Sequence, residues 1–498
     1  MQRLPGAHIG FLLFVSILVL SIGGAPVLGD PDTAWHLAAG NLIRSTSELP
    51  SCDPWSFTAG GERWYNLSWL ADICLSLLYS IGGFGALYGV TIIVFAASLV
   101  LMSRHALLRG AGILSIFMLL LPCLFVLYVE TFARPNLFSL WFALAFYCLF
   151  TRHRTSKNLD DLLPLPFIMA FWVNLHGGFL FGFLLLGVFL LEALLQKDRA
   201  RLRHIGITFA LCLVATFFNP YGVEIYYGAL KTLSGAFDRT YILEWQPIKV
   251  IDDWPMSLLL LLALCVGNTS DTRIALADRI LFVLLLMLAL SGIRYTPFAA
   301  LLLLPALSLR LSSLLYESRW GTRVRALEMQ IYDDMHKTDI RVLSAVFAVA
   351  ACLFVLLPEP RDHVLKEPAG FPAKTFPVAE AQYVLQHYPT LRFFNHYNIG
   401  GYLDYLWHGK MKVFIDGRAS SLFGEEVLLD YADFINSRGF GGKAERIISQ
   451  YSLDGLIIPN TDKDAGYWQW NPDWHKVYQG PVATVYLRKD LVEKGLNQ

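Results

Sequence analysis

The sequence predicts a polytopic α-helical membrane protein of about eleven transmembrane helices, followed by a C-terminal extracytoplasmic α/β domain. Three observations lead there. Of the 498 residues, 55% are hydrophobic and only 16% are charged, against roughly 25% charged in globular domains. Several apolar runs approach the length of about 20 residues that spans a bilayer. Beyond Glu359 the composition changes, and short apolar segments alternate with amphipathic ones.

The first apolar segment runs from about His8 to Gly29. It has the look of a signal peptide, with Arg3 ahead of it and Val27 and Gly29 at its end. The many later spans favour a retained helix, and either choice leaves Asp30 on the outer side. A polar loop follows to Asn66, punctuated by Glu48-Leu-Pro and Ala59-Gly-Gly. Leu67–Ile81 is apolar but reaches only about 22 Å as a helix, short of the roughly 30 Å hydrocarbon core. Ser68, Asp72, Ser76 and Ser80 give it a polar stripe, so it reads as a helix lying in the membrane interface. The first outer loop is therefore 30–83.

Further spans are expected near 84–103, 111–130, 136–151, 162–175, 178–195, 204–219, 256–268, 279–292, 296–311 and 342–358. With the N-terminus cytoplasmic, Arg104 to Arg109, Arg152 to Lys157, Lys197 to His204 and Arg319 to Arg325 all fall inside. That is the positive-inside bias. Counting Leu67–Ile81 as a span would turn the first three clusters outward. The membrane part is thus 1–358 and the outer domain 359–498. The expected location is a bacterial cytoplasmic membrane, with the C-terminal domain periplasmic or extracellular.

In the outer domain, Leu391–Asn395, Met411–Ile415 and Gly455–Ile458 are strand candidates. Pro377–His387, Glu425–Ser437 and Gly442–Tyr451 are helical candidates between them, a layered α/β pattern. Trp474–Tyr478 and Val482–Leu487 make a closing hairpin. The net charge is zero, which points to no nucleic-acid partner. Of the seven cysteines, Cys52 and Cys74 alone fall in the first outer loop. No metal-type Cys/His spacing, phosphate-binding glycine loop or internal repeat is present.

The polar residues that ordinary spans avoid collect on the outer side. Asp30-Pro-Asp32-Thr-Ala-Trp35-His36 follows the first span directly, and ionisable groups at such a boundary are functional candidates. Locally, Asp30 suits a helix N-cap, Pro31 the first helical position and Asp32 the helix dipole. Asp32 and His36 lie four apart on one face. Glu130 and Arg134 flank the third span, with mutual pairing as the plain structural alternative. Asn174-Leu-His176-Gly-Gly joins two short helices. Asn219-Pro-Tyr-Gly opens a long loop ending at Glu244-Trp-Gln-Pro, and Arg294 lies between two later spans.

Carboxylates, imidazoles and guanidinium groups gathered at one leaflet suit a transfer reaction. A carboxylate, Asp32 or Asp30, would act as general base on an acceptor. An arginine, Arg134 or Arg294, or a divalent cation would stabilise a departing lipid phosphate.

This arrangement resembles the GT-C superfamily of polytopic glycosyltransferases, which includes oligosaccharyltransferases, protein O-mannosyltransferases and aminoarabinose transferases. The carrying features are the acidic motif Asp30-Pro-Asp32 after the first span, the helix at Leu67–Ile81 and the outer domain after Glu359. More closely, the chain is similar to a bacterial family of predicted membrane proteins. That family shares Asp-Pro-Asp-Thr-x-Trp-His-Leu-x-x-Gly at 30–40, Arg-Pro-x-x-Phe-Ser at 134–139, Asn-x-His-Gly-Gly at 174–178, Asn-Pro-Tyr-Gly at 219–222 and Phe-Ile-Asp-Gly-Arg at 414–418.

The resemblance implies a polyprenyl-phosphate-linked sugar donor and places Asp30 or Asp32 at the acceptor or at a divalent metal. His36, Glu130, Arg134, Asn174, His176, Glu244 and Arg294 are then candidates for binding donor phosphate and substrate. The Trp-Trp-Asp-type motif of oligosaccharyltransferases is missing, which argues against protein N-glycosylation. Asp416 and Arg418 close a strand candidate; they read either as a local ion pair or as an acceptor-binding pair at a strand end. The competing function is a transporter or an envelope-assembly scaffold. A transporter would carry inverted repeats and charges at mid-membrane, and neither is evident. Donor sugar, acceptor and oligomeric state are not encoded legibly.

Overall fold

The computed structural model describes residues 29–129, 132–249, 251–267, 274–337, 371–436, 442–462 and 465–493. Most of the first expected span, the whole of 342–358, and Glu130 lie outside them. The described residues fold as two units. One comprises Tyr88–Gly222 and 243–337; the other comprises 29–87, Val223–Ile242 and 371–493.

The first unit is helical. Its helices include Ile113–Val129, Asn136–Ser156, Pro164–Leu175, Leu180–Leu195, Arg199–Ala215, Trp254–Gly267, Leu276–Ser291 and Thr296–Glu317. Each coincides with an expected span to within a few residues. By length and composition, three described helices can cross a membrane: Trp69–Leu108, Gly177–Leu195 and Ile293–Glu317. Ile113–Tyr128 and Trp254–Leu264 are apolar but shorter. The helix Thr296–Glu317 is the most enclosed of the three long ones, with 72% of its apolar window buried. It packs on Ile113–Val129, Trp254–Gly267 and Leu276–Ser291.

Basic residues expected as ordinary flanking charges are partly internal. Arg109 pairs with Asp278, whose carboxylate also accepts from the Tyr147 hydroxyl at 2.9 Å. Arg201 pairs with the buried Glu192. Burial of a charge is costly unless it is matched, and these charges are matched.

The second unit contains a four-stranded mixed sheet. Its strands are β1 (Phe393–Asn395), β2 (Gly455–Pro459), β3 (Trp474–Gln479) and β4 (Ala483–Arg488), in the order β1-β2-β4-β3. β1 and β2 run parallel, and the other two pairings are antiparallel. The hairpin expected near 474–487 is therefore present. Helices Val378–His387, Glu425–Asn436 and Lys443–Gln450 match the expected ones.

Met411–Ile415 is not a sheet strand. It makes an isolated parallel bridge, Ser56 with Val413. Its backbone donors and acceptors are satisfied by the first outer loop: Val413 N donates to Trp55 O at 2.9 Å and Phe57 N donates to Val413 O at 3.1 Å. The Asn395 side chain completes the set, accepting from Phe414 N and donating to Ile415 O, both at 2.7 Å. A buried backbone group must find some partner, and here the partner came from elsewhere in the chain.

The first outer loop belongs to this unit's core. Trp55 and Trp64 share one apolar cluster with Phe394, Phe414, Leu456, Ile458 and Tyr486. Two helices complete that loop. The motif helix is Pro31–Thr46, and Trp69–Leu108 follows as one run broken by non-helical backbone at Gly82 and Gly83. Gly83 has φ +56° and ψ −148°, a conformation open to glycine and strained for other residues. The break separates the expected interface segment from the span after it.

Candidate functional site

Each position of the 30–40 motif has a defined task. Asp30 is 1% exposed and caps the motif helix. It accepts from Asp32 N at 3.3 Å, Thr33 N at 3.2 Å and the Thr33 hydroxyl at 2.6 Å. This is the ordinary service of an N-cap aspartate, satisfying amides that have no intrahelical acceptor. Asp32, one turn position on, is half-buried. Its Oδ1 lies directly over Gly417, where a Cβ would collide with it. The same Cβ would come within 2.9 Å of Trp35 Nε1. That indole N–H is buried without a hydrogen-bond partner among the described residues.

The glycine pair at the start of the helix Tyr397–Trp407 lets this happen. A Cβ at Gly401 would meet Pro31 O at 2.8 Å, and one at Gly400 would meet Asp416 Cα at 2.8 Å. The motif helix and the 414–418 turn therefore approach from opposite sides of the same glycine helix. His36 uses the next turn of the motif helix. Its Nδ1 lies 2.7 Å from Asp72 Oδ1, and Asn66 Nδ2 donates to Asp72 Oδ2 at 2.8 Å. The ring stacks against Trp35, with centroids 3.6 Å apart. Gly40 ends the motif because a Cβ there would collide with Asp72 O. Thus the spacing Asp-x-x-x-His-x-x-x-Gly places a carboxylate, an imidazole and a helix crossing on successive turns.

Asp416 and Arg418, read as a local ion pair or as an acceptor-binding pair, are paired with each other and have no exposed side chain, and neither does Asp53. Arg418 Nε and Nη2 donate to Asp416 at 2.9 and 2.6 Å, and Nη1 lies 2.7 Å from Asp53 Oδ1. The guanidinium lies against both Trp55 and Trp64, 4.9 and 4.8 Å from their ring centroids, and those two rings meet edge to face. Burial opposes its charge, yet Asp416 and Asp53 more than compensate and raise its pKa.

Asp404 is the fourth ionisable group here, 2% exposed, with neither oxygen in a well-formed hydrogen bond. Burial first, then the Asp416 carboxylate, push its pKa well above the ordinary carboxylate range. The direction follows because a third buried carboxylate around one guanidinium would be uncompensated.

The remaining candidates belong to the helical unit. Arg134 pairs with Glu244 at 2.6 Å. Asn174 donates to the carbonyls of Ala170 and Phe218 at 2.8 and 2.7 Å, pinning one loop to the next. His176 caps the following 3-10 turn, and its Nδ1 lies 2.7 Å from the Ser139 hydroxyl. That hydroxyl also accepts from Trp172 Nε1 at 2.7 Å. Arg294 stacks over Trp245 at 3.9 Å and makes no ion pair among the described residues.

Asp72, Asp53 and Asp404 were not among the expected site residues. Asp72 did leave a trace in the sequence, as the one carboxylate in a stripe of serines. Asp53 and Asp404 left none. Among the described residues no three His, Cys, Asp or Glu side chains are grouped to hold a metal ion. Asp30 accepts hydrogen bonds from its own helix terminus, and Asp32 lies over Gly417.

No protein-family model matches the sequence, and no curated protein matches it either. Solved structures do match the fold. The oligosaccharyltransferase of Archaeoglobus fulgidus in its apo form superposes with a TM-score of 0.56 at 12% identity, over 90% of this chain and 69% of that one. The same enzyme, AglB, in complex with an inhibitory peptide and a dolichol-phosphate gives 0.52 at 12% identity, over 90% and 69% of the two chains. ArnT from Cupriavidus metallidurans bound to undecaprenyl phosphate gives 0.50 at 10% identity, over 96% and 97%. This chain shares the fold of these proteins.

Proposed function

We propose that this protein is a membrane glycosyltransferase that moves a sugar from a polyprenyl-phosphate-linked donor to an acceptor on the outer side of the membrane. The observation that carries the reading is the division of labour between the two motif carboxylates. Asp30 is consumed as a helix cap. Asp32 is half-buried, held by that capped terminus, and seated over Gly417. A rigidly placed carboxylate at a membrane boundary suits a general base.

In the proposed step an acceptor hydroxyl or amide gives its proton to Asp32 as its oxygen or nitrogen bonds to the sugar's anomeric carbon. The bond from that carbon to the phosphate oxygen breaks, and its electron pair leaves with the polyprenyl phosphate. Attack opposite the leaving group inverts the anomeric centre. Negative charge grows on the departing phosphate, and a guanidinium is the group suited to meet it. In the helical unit, Arg294 is stacked on Trp245 with no ion pair among the described residues, whereas Arg134 pairs with Glu244. The fold shared with AglB and ArnT, solved with dolichol-phosphate and undecaprenyl phosphate respectively, supports the donor class.

The test is transfer from defined polyprenyl-phosphate sugars by the purified protein in nanodiscs. Asp32→Asn should remain folded and inserted while losing transfer. Wild-type activity in that variant would remove Asp32 from the mechanism.

A further inference from the structure

We infer that the second unit carries a saccharide-binding groove distinct from the Asp32 centre. The groove has a volume of about 550 Å³ and is lined by Asn41, Ser76, Tyr79, Ser80 and Tyr405 with the Ile81–Gly83 backbone. That volume lies within the range of roughly 300–1,000 Å³ typical of small-molecule sites. Asn41 stands nine residues beyond Asp32 on the same helix, a rise of about 13 Å. No residue of the Asp32 centre lines it.

The lining selects a polyhydroxylated neutral ligand. Tyr79 and Tyr405 present aromatic rings edge to face, 6.1 Å apart and inclined by 83°. Phe371 supports both from behind, at 6.1 and 4.8 Å. A pyranose offers a C–H face for such rings and a rim of hydroxyls for amides and hydroxyls. The Asn41 amide oxygen accepts from Ser76 at 2.7 Å. That contact turns its NH₂ group, which has no partner among the described residues, toward the groove; an amide carries two donors there. The Ser80 hydroxyl donates to Leu77 O at 2.7 Å and keeps its acceptor capacity.

A phosphate would require a cation, and no cation lines the groove. Arg44 donates to the Ser76 hydroxyl at 2.9 Å without itself lining the groove. The groove opens where the helix breaks at Gly82 and Gly83, whose irregular backbone supplies additional polar groups. Reading the bound saccharide as part of the acceptor chain rests on the proposed transferase function. The binding itself does not.

The experiment uses the full chain in nanodiscs, free of sugar-headed detergents, with neutral gluco-, manno- and galacto-trisaccharides as probes. Saturation-transfer NMR and titration calorimetry should detect at least one of them. Affinity should fall by tenfold or more in Asn41→Ala and in Ser80→Trp, which fills the groove from its exposed edge without entering the core. Asp32→Asn should bind as well as the wild type while losing transfer, which separates this site from the proposed chemistry. Binding by none of the trisaccharides overturns the inference. So does binding that both groove variants leave unchanged, or displacement of the probe by glycerol phosphate, which would mark a lipid headgroup site.

Discussion

Asp32 Oδ1 occupies the space that a side chain at residue 417 would need. The first outer loop and the Asp416-Gly417-Arg418 turn are thus complementary at the level of one missing methyl group. Gly417→Ala has no room to relax on one side, because Trp35 Nε1 is within 2.9 Å of the same point. Asp32 must move, and displacement by about 1 Å is enough to cost roughly 100-fold in rate. The expected outcome is a protein with near-normal thermal unfolding and transfer reduced by about that factor. An unaltered rate would show that Asp32 works from some other position.

Asp30 and Asp32 should separate cleanly by substitution. Asp30→Ala removes an N-cap, with an expected cost of about 0.5–2 kcal/mol. Its activity should fall only as far as the helix terminus loosens. Asp32→Asn should cost little stability and nearly all transfer. Paired thermal melts and initial rates decide the matter, and the reverse pattern would exchange the roles assigned here.

Arg418 holds three elements together, so its loss should be severe. Arg418→Leu leaves Asp53 and Asp416 buried without their cation, and breaking one side of a buried pair costs roughly 3–5 kcal/mol. Arg418→Lys should restore only part of this, since an ammonium cannot make the bidentate contact to Asp416 or lay a planar cation against the two indoles. Unfolding midpoints in the order wild type, Lys, Leu are expected; equal midpoints for the two variants would show that geometry is irrelevant.

Asp404 gives a pH signature. Its pKa is raised in the folded protein, so the folded state binds more protons than the unfolded state above the unfolded value of about 3.9. Stability from this group is complete below that value and declines as pH rises toward the raised folded value. Asp404→Asn removes the titration. The variant should be more stable than wild type at pH 7–8, with the gap closing toward pH 4. A pH-independent difference would show that Asp404 is ionised in the fold.

The His36–Asp72 contact, buried on both sides, should behave as a coupled pair. His36→Ala leaves Asp72 with Asn66 as its remaining side-chain partner, and an unsatisfied buried acceptor costs roughly 1–3 kcal/mol. A double-mutant cycle with Asp72→Asn should yield a coupling energy well above zero. Additive effects would reduce the contact to proximity.

Legibility followed the range of the interaction. Pro31, Asp30 and the apolar stripe of the motif helix were readable because capping acts within three residues. The helices Asn136–Ser156 and Thr296–Glu317 were readable because apolar length alone marks them. Met411–Ile415 was misread as a strand because its composition is that of a strand. What it pairs with is the loop around Ser56, over three hundred residues earlier, where Thr58 donates to Phe414 O. The alternative pairing of Arg134 with Glu130 lies outside the described residues; the partner the structure adds, Glu244, is more than a hundred residues away and has no local signal.

The sequence by itself determined a chain too apolar for water and a helix that Asp30 starts. Those properties depend on composition and on neighbours within a turn. Only the tertiary structure decided that Asp32 lies over Gly417. It also decided that His36 answers to Asp72, and that Asp416 and Arg418 are an internal clamp with Asp53. The physical reason is that a buried charge takes whichever partner the packed fold brings within 3 Å. Glycines at 40, 400, 401 and 417 bring those partners close by leaving out the atoms that would keep them apart.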